Sequence, residues 1–77
     1  MKRILYSAIR SYLKGNISKH VVNIKIQTEN PVGVAEHSDH IETIEKELGM
    51  IAEYDDKLQA LEKYFGKEKL ESHLLND

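Results

Sequence analysis

A chain of 77 residues with no cysteine, one proline and four glycines makes at most one domain, and buries only about 60% of its unfolded surface. Disulfides and thiolate-held metals are excluded as staples, and small domains without them usually rely on a partner chain. A net charge of −2 disfavours a uniformly basic nucleic-acid binder, and a hydrophobic content of 40% argues against disorder.

The opening Met1-Lys2-Arg3-Ile4-Leu5-Tyr6-Ser7-Ala8-Ile9 briefly imitates a signal peptide, but Arg10 interrupts the apolar run and no small-residue cleavage site follows. No stretch approaches the roughly 20 apolar residues of a membrane span. The expectation is a mature chain in the cytoplasm.

Ile4, Leu5, Ala8, Ile9, Tyr12 and Leu13 recur on one face of a 3.6-residue period, which predicts a first helix from about Lys2. Beyond Gly15 two patterns compete. Val22, Ile24, Ile26 and Thr28 alternate with Asn23, Lys25 and Gln27, as in a strand. Leu13, Ile17, Val21, Ile24 and Thr28 also continue a helical stripe. A strand here would have to pair with its counterpart in another subunit, since the chain offers no second strand. The favoured reading is one helix over about 2–30, with Gly15 as the candidate kink.

Pro31 pushes Asn30 out of helical geometry, and Gly33 permits a turn, so residues 30–37 read as a connector. Asp39 followed by Glu42 resembles a capping box and predicts a second helix over about 39–65. Its stripe is Ile41, Ile44, Leu48, Ile51, Tyr54, Leu58, Leu61 and Phe65, close to a coiled-coil repeat with one irregular step near Tyr54. Gly49 inside it is either tolerated or marks the close approach of another helix. Gly66 ends this helix, and Leu70, Leu74 and Leu75 suggest a short third one.

Two helices of similar length joined by a short connector favour antiparallel neighbours. The charges fit this: residues 1–28 carry six Lys or Arg and no acid, whereas residues 29–77 are net −8. A lone hairpin cannot enclose both apolar stripes. The expected architecture is therefore all-α: an antiparallel helical hairpin plus a short C-terminal helix, a single domain over 1–77, assembling as an oligomeric bundle. The expected contact residues are Leu5, Ile9, Tyr12 and Leu13 on the first helix, with Ile41, Ile44, Leu48, Ile51, Leu58, Leu61 and Phe65 on the second.

Chemistry-bearing residues are few. Glu36-His37-Ser38-Asp39-His40 has a spacing with which a divalent metal is sometimes held, but a polar loop and helix cap with both histidines exposed is the favoured reading. His20 reads as a half-buried packing residue, and Asp55-Asp56 as solvated acids. No nucleophile elbow surrounds any serine and no glycine-rich phosphate loop is present. No catalytic residue, cofactor or metal is expected, and the chain is not expected to be an enzyme. Lys2, Arg3, Arg10, Lys14 and Lys19 with Tyr6 and Tyr12 supply the alternative, a nucleic-acid-binding module built on the basic first helix.

The run Asn30-Pro31-Val32-Gly33-Val34-Ala35-Glu36-His37-Ser38-Asp39, followed by Ile44-Glu45-Lys46-Glu47-Leu48, Ile51-Ala52, Asp56-Lys57-Leu58 and Leu61-Glu62-Lys63-Tyr64-Phe65, resembles small proteins of T4-like marine phages (cyanophage type) over about residues 20–65. That resemblance implies a phage origin and carries over no activity and no site residue. The expected role is a small structural or interaction part of a tailed phage, concerned with assembly, adaptation or host modulation. It would act in the cytoplasm of the infected cell or in the virion, as a homo-oligomer or with a phage or host protein, and away from membranes.

Overall fold

The computed structural model describes residues 1–29 and 37–66, with the side chains of 1–29 and 39–66. The connector and the expected third helix lie outside the described residues. Two helices make up the rest: α1 (Arg3–Glu29) and α2 (His37–Phe65). They pack side by side and antiparallel, since Gln27 meets His40, His20 meets Glu47 and Arg10 meets Glu62. No strand occurs among the described residues, so the β-branched run at 20–28 is helical. Helix wins there because each residue keeps its i→i−4 bond and one face meets α2, whereas a strand would have no partner.

The ends of the two helices differ in quality. α1 has no acid in its first turn and no base in its last; Arg3 begins it and Glu29 ends it, which sets both charges against the helix dipole. α2 carries Asp39 in its first turn and Lys63 in its last, the favourable arrangement. Asp39 does not cap α2, as the sequence suggests. The helix begins two residues earlier at His37, and the Asp39 carbonyl accepts a bond from Thr43 Oγ1 at 2.7 Å. With five β-branched residues between Val21 and Thr28 and opposed end charges, α1 depends on packing against α2 for its helicity.

The helices meet along strict heptads. On α1 the seam is Tyr6, Arg10, Leu13, Ile17, His20, Ile24 and Gln27; on α2 it is His40, Ile44, Glu47, Ile51, Tyr54, Leu58 and Leu61, all buried or half-buried. The steps alternate 4 and 3 throughout on both helices, the period of an antiparallel coiled coil. The irregular step near Tyr54 vanishes because His40 and Glu47, not Ile41 and Leu48, lie between the helices. Likewise His20 and Gln27 replace Val21 and Thr28. The sequence stripe counted only apolar residues and therefore drifted one position off the packing face.

Of the large apolar side chains among the described residues only Leu13 and Leu61 are buried, at 6% and 7% exposure. Gly15 and Gly49 interrupt nothing: a Cβ built at either meets no neighbour within 4 Å. Among the described residues none comes within 4 Å of that added carbon at Gly49. Gly66 differs, since its N–H bonds the Glu62 carbonyl at 3.0 Å and a Cβ there would sit 2.3 Å from that oxygen.

Three outcomes follow for thermal melts followed by circular dichroism. Gly49→Ala should raise stability by about 0.5–1 kcal/mol, whereas Gly66→Ala should lower it. Leu13→Ala should cost about 2–5 kcal/mol. In isolated peptides, residues 37–66 should show clearly more helix than residues 1–30; equal helicity would contradict the dependence of α1 on α2.

Candidate interaction surface

In the connector-side half of the seam polar residues alternate with Ile24 and Ile44. His20, itself only 8% exposed, donates from Nδ1 to Glu47 Oε2. Asn23 Nδ2 donates to both Glu47 oxygens at 3.2 Å, so one carboxylate from α2 is held by two side chains from successive turns of α1. Further along, His40 Nδ1 donates to Gln27 Oε1 at 2.8 Å. The His20 ring also stacks on Tyr54 with centroids 6.1 Å apart, and Tyr12 meets Tyr54 edge-on at 6.4 Å. No buried side-chain nitrogen or oxygen among the described residues lacks a partner. A fully satisfied polar network of this kind fixes register, because a slip of one turn would strand every member of it.

Hydrogen bonding from His20 holds the Glu47 carboxyl below the ordinary carboxylate range, with Asn23 acting in the same direction and partial burial opposing. A carboxyl lowered on folding stabilises the fold fully above its unfolded value of about 4.3 and loses that contribution as pH falls through the lowered value.

The two edges of the seam form two flanks. Arg10 Nε lies 3.6 Å from Glu62, which identifies the edges of α1 and α2 that share one flank. Seven-residue steps back from Glu62 give Asp55, Leu48 and Ile41; steps of 4 and 3 onward from Arg10 give Lys14, Ile17, Val21, Ile24 and Thr28. This first flank is charged at its terminal half and aliphatic at its connector half. On the second flank are Leu5, Tyr12, Lys19 and Ile26, seven apart, beside Lys46, Met50, Lys57 and Tyr64.

The residues expected to make contacts divide accordingly. Leu13 and Leu61 are buried, and Ile9, Ile44, Ile51 and Leu58 half-buried, against the other helix. Leu5, Tyr12, Ile41, Leu48 and Phe65 are exposed, at 52%, 63%, 66%, 54% and 42%. The hydrogen-bonded His20, Asn23, Gln27, His40 and Glu47 form a polar site that an apolar count cannot reveal. The 4-3 spacing of His20, Gln27, His40 and Glu47 with their aliphatic neighbours was the available signal.

His40 is half-buried and bonded to Gln27, not exposed as the loop reading supposed. The side chains of Glu36, His37 and Ser38 lie outside the described residues. Among the described residues no group of three or more His, Asp or Glu is arranged to hold a metal. Asp55 is exposed and accepts from Gln59 Nε2 at 2.8 Å. No described helix is long and apolar enough to cross a membrane.

Comparison with family models, curated proteins and solved structures finds no match.

Two melts test the polar seam. Between pH 5 and pH 3 the melting temperature of the native chain should fall more steeply than that of Glu47→Gln, since the variant has no carboxyl to protonate there. His20→Leu alone should lower the melting temperature at pH 7 by leaving Glu47 short of a partner, and adding Glu47→Leu should recover most of the loss. A double variant no better than the single one would contradict the pairing.

Proposed function

We propose that the protein acts by association: a small structural or interaction component with no catalytic step, self-assembling through apolar helix faces. The observation that carries this reading is the imbalance of its surface. Among the described residues twelve large apolar side chains are exposed while two are buried, and contiguous exposed apolar surface on a soluble chain marks a contact site. A helical hairpin has one shared face, so further apolar stripes need another chain to cover them.

The resemblance of residues 20–65 to small proteins of T4-like marine phages supports placing this role in a tailed phage, in the cytoplasm of its infected host or in the virion. Assembly, adaptor and host-modulating duties all use surfaces of this kind. A nucleic-acid-binding role draws support from the cations of α1. Against it stand the eight Asp and Glu of α2, one of which already holds Arg10.

Light scattering at micromolar concentration should return at least twice the 8.9 kDa of the chain. A folded monomer would overturn the self-association at the centre of this reading. A gel shift with random DNA at low salt should show no retardation; a salt-sensitive shift would favour the basic helix as a phosphate-binding element.

A further inference from the structure

We infer that the flank bearing Arg10 and Glu62 is where a second copy of the chain binds, with the two-fold axis along the helices, the connectors at the same end, and α1 of each copy beside α2 of the other. This rests on the association reading above and specifies the surface and the geometry.

The first support is the misplaced core. In the connector half Ile24 and Ile44 share the space between α1 and α2 with the hydrogen-bonded His20, Asn23 and Glu47. Three further aliphatic residues of that half stand one position away: Val21, Ile41 and Leu48 are 36%, 66% and 54% exposed. Within a lone hairpin this puts polar groups in part of the seam while three aliphatic groups remain outside it. With a second hairpin laid on the flank, those aliphatic groups become the centre of a four-helix bundle, and the polar trio becomes a register device beside it.

The second support is charge, which decides what covers the flank and how. Its terminal half carries Arg10 and Lys14 on α1 and Asp55 and Glu62 on α2. An axis along the helices sets aliphatic half on aliphatic half and the cations of each α1 against the acids of the partner's α2. An axis across the helices does the reverse: it sets α1 on α1 and lays aliphatic halves over charged ones. The second flank cannot serve as well, although it exposes Leu5, Tyr12 and Ile26. Lys19 and Lys46 lie there at one level of the hairpin, so two copies would bring four ammonium groups together.

Size permits the contact. Helices of 27 and 29 residues present a flank about 40 Å long and about 20 Å wide, about 800 Å² per copy, as in a standard specific interface.

The test uses the full chain, whose lack of cysteine allows single labelling sites. Ala8, Gly15 and Val22 are exposed and seven residues apart on the side of α1 away from the seam and from this flank. Spin labels on Ala8→Cys, Gly15→Cys and Val22→Cys, each measured separately by pulsed dipolar spectroscopy, should give nearly equal distances between copies. A crossed axis would make the distance change by about 3 Å for each residue moved, twice the helical rise, and would overturn the arrangement while leaving association intact. Leu48→Glu should weaken the dimer at least tenfold in light scattering dilution series, and Ile26→Glu on the other flank should leave the dimer mass unchanged. The opposite pattern would assign the contact to the second flank, and a native chain that stays monomeric would overturn both this inference and the association reading.

Discussion

Two helices in contact share one seam, and here four of its fourteen residues, His20, Gln27, His40 and Glu47, are given to hydrogen bonds between the helices. The carboxylate of Glu47, held by His20 and Asn23, occupies a place where a coiled coil ordinarily sets Leu or Ile. Everything else about the molecule depends on that substitution. It fixes how α1 and α2 align, since a pair of partners from successive turns tolerates no slip. It also leaves Val21, Ile41 and Leu48 of the same turns on the flank, where the hairpin cannot cover them. A buried polar contact generally contributes less to stability than well-packed aliphatics of the same volume, so its value here lies in alignment.

The terminal half of the hairpin is built the ordinary way. Leu13 and Leu61 are buried in the seam, Tyr12 and Tyr54 meet edge-on, and Arg10 reaches Glu62 at the rim. The rim pair is 41% and 44% exposed and adds little stability by itself, but its sign matches the wider division between a basic α1 and an acidic α2. One half of the molecule thus supplies stability and the other half supplies specificity.

Much of this fold was legible in the sequence. The 3.6-residue recurrence from Ile4 to Leu13, the expectation from sequence that a helix must stop before Pro31, and the length of the acidic second segment together point to two antiparallel helices with ends within one or two residues of those seen. Residues 20–28 were harder, because β-branched alternation and helical periodicity coexist there, and the deciding factor, contact with α2, is not local. The expected seam missed by one position at Val21, Ile41 and Leu48, and held at Leu13, Ile44, Ile51, Leu58 and Leu61, for a simple reason. An apolar count selects Val21, Ile41 and Leu48, whereas the structure selects His20, His40 and Glu47, whose burial is tolerable only because each finds a partner on the opposite helix. Spacing along each helix places His20 and Glu47 at seam positions, but it does not name the partner that each finds 27 residues away.

The unequal ends of the two helices bear on how the chain comes into being. The ribosome releases α1 first, with Arg3 and Glu29 opposing its dipole and its β-branched residues unpacked. α2, favourably charged at both ends, is the segment able to acquire structure early, yet it emerges last. Synthesis proceeds at about 5–20 residues per second, so the leading segment spends seconds as an unstructured, greasy, cationic thread. Nascent-chain chaperones therefore have their window on α1, and it closes when α2 arrives to template its coiling.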